Sequence, residues 1–182
     1  MPLRITTDKI AAPKFKQNLA GLRDRFEKAL TASVNMAASM IKEQADADIA
    51  GAGNFGQRWT EGLHVDVSDT LGNMRISVTH DIPYAGIFET GGVIKGNPFL
   101  WISISGTDAE RTPASAYSGG LFSVNRKSGG PPLLFSISDK QPKYFGVESV
   151  TIPKKFHTGE IVKSVMGNFR QIFDSAFRSR TV

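Results

Sequence analysis

Between Pro13 and Ala50 apolar residues recur at three- and four-residue steps: Phe15, Leu19, Leu22, Phe26, Leu30, Ala37, Ile41, Ala45 and Ile49, with Val34 beside the stripe. Lys14, Lys16, Arg23, Asp24, Glu27 and Lys28 fall mostly off it, so the spacing predicts one long amphipathic helix over 13–50. It ends where Gly51-Ala52-Gly53-Asn54 breaks the pattern. At 1.5 Å per residue such a helix spans about 50 Å, longer than a domain of this size needs. Its far end is therefore expected to pack on a neighbouring subunit, or the helix to break near Gly21 or between Ser33 and Ala38.

The period then changes to two. Leu63, Val65 and Val67 alternate with His64, Asp66 and Ser68, and Met74, Ile76 and Val78 alternate with Arg75, Ser77 and Thr79 across an Asp69–Asn73 turn. This predicts a hairpin with one buried face. A short turn follows over Tyr84–Gly91, expected to start at Asp81 or Ile82 as cap with Pro83 at its first position, and to bury Tyr84, Ile87 and Phe88 together. Val93-Ile94, Leu100–Ile104 and Tyr144–Ile152 read as extended. From Gly106 to Pro132 the composition shifts to Gly, Ser, Pro and Thr, which predicts a projecting loop with Leu121–Val124 as one arm and Leu133–Ile137 as either the returning arm or the next core strand. Thr158 is a good N-cap for a last helix over 158–178. Its stripe of Ile161, Val165, Phe169, Ile172 and Ala176, widened by Val162, Met166, Phe173 and Phe177, is too apolar for an exposed helix. The sum is a single α+β domain over 1–182: a largely antiparallel sheet of four to five strands within 61–152, packed with a long N-terminal and a C-terminal helix.

Composition narrows the chemistry. The 182 residues are 40% hydrophobic and 21% charged, ordinary for a globular chain. Cysteine is absent, which removes disulfides, thiolate metal sites and Cys nucleophiles. Met1–Lys9 has no apolar leader, and no apolar run approaches the roughly 18 residues of a membrane span, so the chain is expected to be made in the cytoplasm with no membrane partner. His64, His80 and His157 have no Glu or His at metal-ligand spacing, the Gly119-Gly120 and Gly129-Gly130 pairs lack the context of a phosphate loop, and no nucleophile elbow occurs. No catalytic, metal or cofactor residue is assigned.

Charge is more informative in its distribution than in its total of +5. Arg4, Lys9, Lys14, Lys16, Arg23, Arg25 and Lys28 load one end, and Lys140, Lys143, Lys154, Lys155, Lys163, Arg170, Arg178 and Arg180 the other. Between them Glu43, Asp46, Asp48, Glu61, Asp66, Asp69, Asp81 and Glu89 outnumber the bases. Such asymmetry suits head-to-tail association of like subunits, a DNA channel, or simply a solvated surface. Arg126 and Lys127, in the long loop, are candidates for a DNA or lumen contact. Trp59, beside Arg58, reads either as an interface anchor or as a cap on the core.

The run Tyr84-Ala85-Gly86-Ile87-Phe88-Glu89-Thr90-Gly91 resembles the Tyr-Ala-x-x-x-Glu-x-Gly signature of tailed-phage tail-completion and minor tail proteins. Gly53–Thr60, Pro98–Ile102 and Val150–Phe156 fit in the same order, so the resemblance touches most of the chain from Gly53 to Phe156. It implies a structural virion protein of the neck or upper tail. Such proteins form a ring, commonly a hexamer, that completes the tail and joins it to the head's portal assembly, with other neck and tail proteins as neighbours and packaged DNA in the lumen. Tyr84, Phe88, Glu89 and Gly91 are then signature residues, and Trp59, Phe169 and Phe173 candidates for the subunit interface. Glu89 is expected to accept hydrogen bonds from the Gly91-Gly92 amides, to pair with a base, or to meet a neighbouring subunit. The long 106–132 insertion departs from the family pattern. A basic nucleic-acid-binding domain is the alternative allowed by the sequence pI of about 9.6, although the strands lack interleaved aromatic and basic residues. A phage hydrolase is less well supported, since no nucleophile, base and oxyanion set can be assembled.

Overall fold

A computed structural model describes residues 11–70, 73–126 and 129–179. Lys127 and the terminal bases Arg4, Lys9 and Arg180 lie outside the described residues. The fold is α+β. Where the sequence suggested one domain, the described contacts gather in two compact units: one within residues 11–89 and 155–179, and one within residues 90–154.

The first unit is built on α1 (Ala11–Gly51), which is unbroken at Gly21 and through Ser33–Ala38. The helix is followed by the short α2 (Gln57–Glu61) and the antiparallel hairpin of β1 (Leu63–Thr70) and β2 (Asn73–His80), in register from Leu63 opposite His80 to Thr70 opposite Asn73. After α3 (Gly86–Thr90) the chain leaves this unit, and it returns for α4 (Thr158–Gly167) and α5 (Phe169–Arg178). The single C-terminal helix expected over 158–178 is thus two, divided at Asn168, whose side-chain amide donates to the Ser164 carbonyl at 3.1 Å. One core joins Ala37 and Ile41 of α1 to Val165 of α4 and Ile172 of α5, with Val65, Ile76, Val78, Ile161, Val162 and Phe169 packed around them. A second joins Ala45 and Ile49 to Leu63 and Phe156. The α1 stripe is buried only from Ala29 onward; ahead of it Phe15, Leu19, Leu22 and Phe26 remain 48–66% exposed.

The second unit is a four-stranded antiparallel sheet in the order β3-β6-β5-β4, made of β3 (Gly92–Ser103), β4 (Leu121–Val124), β5 (Leu133–Ser136) and β6 (Pro142–Ile152). Strands that the sequence pattern placed in one sheet are therefore divided between two, because alternation reports which face is buried and not which strand is the hydrogen-bonding neighbour. The expected hairpin arms are present as β4 and β5, paired from Leu121 opposite Ser136 to Val124 opposite Leu133. The segment preceding β4 packs on its own sheet: Ala109 and Tyr144 are fully buried with Leu134, against Trp101, Ala114, Tyr117 and Leu121. The Tyr144 hydroxyl donates to the Thr112 carbonyl at 3.0 Å, which ties this segment to β6.

Candidate functional site

In the first unit, hydrogen bonds run from Ala85 N–H to Ile82 C=O, Ile87 to Tyr84 and Phe88 to Ala85, at 3.0–3.2 Å. These are three-residue steps, so residues 82, 85 and 88 share the inward face. Ile82 and Ala85 are buried and Phe88 half-buried, whereas Tyr84, expected inside, is 61% exposed. Asp81, a candidate cap, instead pairs with His64 Nε2 at 2.9 Å. Around Phe88 gathers a cluster of rings. Phe55, Trp59 and Phe156 lie 4.8–5.7 Å apart and each within 5.5 Å of Phe88, mostly edge to face. Trp59 is thus packed in the unit's own core, with Tyr84 against its outer side at 5.9 Å.

Glu89 closes the arrangement. Its carboxylate accepts from the Thr158 amide through Oε2 at 3.1 Å and from the Gly159 amide through Oε1 at 2.7 Å. The expected acceptor role is correct in kind, but the donors are the first turn of α4, not Gly91 and Gly92. Helix N-termini leave amides without intrahelical partners, and a carboxylate satisfies them and complements the helix dipole. Thr158 is the first helical residue, and His157 at the cap position makes no side-chain cap bond, so a residue some seventy positions away supplies the function expected of Thr158. Asp48 of α1 accepts from the His157 amide at 2.7 Å and contacts His157 Nδ1 at 3.0 Å. The Phe88 carbonyl accepts from the Lys155 and Phe156 amides at 2.7 and 2.9 Å. Five consecutive amides, residues 155–159, are therefore held by Phe88, Asp48 and Glu89. Gly159 fits this clasp because a Cβ there would sit 3.3 Å from Glu89 Oε1. Gly91, at φ +71°, turns the chain out of α3 in a conformation that L side chains rarely adopt.

Compared with known proteins, the chain matches no family model, no curated protein and no solved structure.

Both Glu89 oxygens and both Asp48 oxygens already contact the chain, so the clasp is a brace rather than a poised base. Among the described residues no three His, Asp or Glu side chains converge as a metal ion would require, and no helix is long and apolar enough to cross a membrane. Phe169 is half-buried against the first core, and the Phe173 ring lies 5.1 Å from Phe26 and stacks on Phe177 at 5.8 Å. Arg126 is exposed. Asp48, Phe55, Phe156 and His157 were not singled out from the sequence as site residues. The local signal for Phe156 and His157 was the polar, prolyl entry into α4, whereas Asp48 lies on α1 and Phe55 in the loop that follows it.

The second unit has a separate cluster of charges. The nearly buried Lys143 ammonium bridges Asp108 at 2.6 Å and Asp139 at 2.5 Å, and Tyr117 donates to Asp108 at 2.9 Å. The Lys143 hydrogen bond, helped by the Gln141 amide, pulls the Asp139 carboxyl down to about 2, and Lys143 followed by Tyr117 lowers Asp108. Asp108 and then Asp139 hold Lys143 above its ordinary range. Burial raises the Tyr144 phenol. With all partners committed to one another, this cluster pins the 104–117 segment to the sheet.

Proposed function

We propose that the chain is a structural protein of a tailed-phage particle, one that associates with copies of itself into a ring, a hexamer as the resemblance implies, at the neck or upper tail. The ring completes the tail and joins it to the head's portal assembly, and packaged DNA passes through its lumen. The observation that carries this reading is the run Tyr84–Gly91, in which Ala85, Phe88, Glu89 and Gly91 each have a definite physical task while Tyr84 stays exposed. Ala85 and Phe88 face inward, Glu89 holds the start of α4, and Gly91 provides the turn at positive φ. The exposed apolar start of α1 agrees with it, since a helix that keeps Phe15, Leu19 and Leu22 largely in water, with Phe26 half-exposed beside Phe173, is suited to assembly.

Deleting the gene from its source particle and imaging the products by electron microscopy tests this. Filled heads beside unattached tails are the expected outcome. Normal infectious particles would overturn the reading and favour the basic nucleic-acid-binding alternative.

A further inference from the structure

Two surfaces of the first unit are complementary. The first is the outer part of α1, where Phe15, Leu19, Leu22 and Phe26 follow one another at steps of four, three and four residues and stay 48–66% exposed. Together they leave on the order of 400 Å² of large apolar side chain in water, the scale at which a patch marks an interaction surface. Bases line the stripe: Lys16 along one flank beside Arg23, whose guanidinium pairs with Glu27 at 2.7 Å, and Lys14 along the other beside Arg25, which lies over the Phe177 ring. The second surface is a groove of about 800 Å³ between the later part of α1 and β1. Ala38 and Val67 offer it apolar floor, and Glu43, Asp46 and Asp66 supply three carboxylates against one base, Lys42, which is already paired with Asp46.

We propose that the basic, apolar start of α1 in one copy of this chain seats in the acid-rimmed groove between α1 and β1 of the next copy. The inference rests on the self-assembly reading above and names the surfaces that carry it. Geometry decides how the copies are related. Both surfaces sit on one unbroken helix, about twenty residues and so about 30 Å apart, and they cannot meet within a molecule. At about 100° per residue, the stripe and the groove residues of α1 also lie on roughly opposite faces. Two α1 helices laid side by side therefore cannot satisfy both surfaces reciprocally, and the contact is head-to-tail, the kind that generates rings or filaments rather than isolated dimers. A competing seat exists in the apolar crevice lined by Leu30, Val34, Met74, Val162 and Met166, but its described lining holds no carboxylate to meet the bases.

The chain has no cysteine, so introduced pairs report contacts directly. The full-length L19C/V67C double variant is oxidised and run on a non-reducing gel, with wild-type mass measured in parallel by light scattering. A ladder of dimers, trimers and larger species from the double variant, absent from L19C or V67C alone, is the expected result. A disulfide dimer from L19C alone, or a ladder from L19C/M166C but not L19C/V67C, would overturn the assignment in favour of stripe-to-stripe pairing or the apolar crevice. An oligomeric wild type with no ladder from any pair would overturn the contact and leave the ring reading standing; a monomeric wild type at every concentration would remove both. Independently, K16E should weaken association at least tenfold with an unchanged circular dichroism spectrum, and D66K in the same chain should restore it. Failure of that rescue would also count against the groove.

Discussion

Glu89 spends both carboxylate oxygens on backbone amides, so its replacement should be felt in stability. A hydrogen bond to a charged acceptor contributes about 1.5–3 kcal/mol, and water can partly replace the lost acceptor at this exposed helix start. Glu89→Ala should therefore cost about 1–3 kcal/mol in urea unfolding of the full chain, with Glu89→Gln recovering part of the loss; an unchanged midpoint would mean the clasp contributes nothing. In the second unit the sign of the pH dependence follows from the direction of each shift. Asp139 is held at about 2, below the unfolded value near 3.9, so its contribution is complete above about pH 5 and is lost as pH falls toward 2. Lys143 is shifted upward, so its contribution is complete below its ordinary range near 10.4 and lost as pH rises beyond it. Thermal midpoints measured between pH 5 and pH 2 should fall more steeply for the wild type than for Asp139→Asn, and parallel curves would refute the assignment. Neither side chain's partners were legible in the sequence. Glu89 stood out only because it follows Ile87-Phe88 and precedes a glycine pair, while its donors lie about seventy residues on, beyond any local pattern.

Helix α1 illustrates what periodicity can and cannot say. Its three- and four-residue steps correctly outline one helix, and the glycine at 21 does not break it, because an exposed helical glycine costs only about 1 kcal/mol against alanine. The break that does occur, at Asn168, sits beside Gly167, where a glycine-asparagine pair weakens the helix and the Asn amide takes a backbone carbonyl. The β1–β2 hairpin was readable because strict alternation and a short polar turn specify it locally. The pairing of β3 with β6 was not, since the strands are separated by some fifty residues. Along α1 a uniform stripe hides two different jobs. Ile41, fully buried against α4 and the hairpin, should cost about 2–5 kcal/mol when cut to alanine. Leu19→Ala, by contrast, should leave unfolding of the dissociated chain within about 0.5 kcal/mol, as surface substitutions do, while weakening self-association. Urea unfolding of both variants at low protein concentration checks the contrast, and equal losses would place Leu19 in the core.

Across the whole molecule the chain enters and leaves the second unit through adjacent strands. Gly92 pairs with Ile152, and a Cβ on Gly91 would lie 3.1 Å from the Lys154 amide. An insertion whose ends lie this close should be removable. Joining Thr90 to Lys155 through two glycines should leave a helical protein with a cooperative thermal transition, checked by circular dichroism, and a chain without one would show that the first unit depends on the second. The clasp at residues 155–159 lies just past this return point, and that sets an order on synthesis. Residues 90–154 are contiguous and can fold as they leave the ribosome, whereas α1, the hairpin and Glu89 must wait, with their apolar faces uncovered, until the last two helices have been made. During translation, then, the oldest part of the chain is the last to be finished.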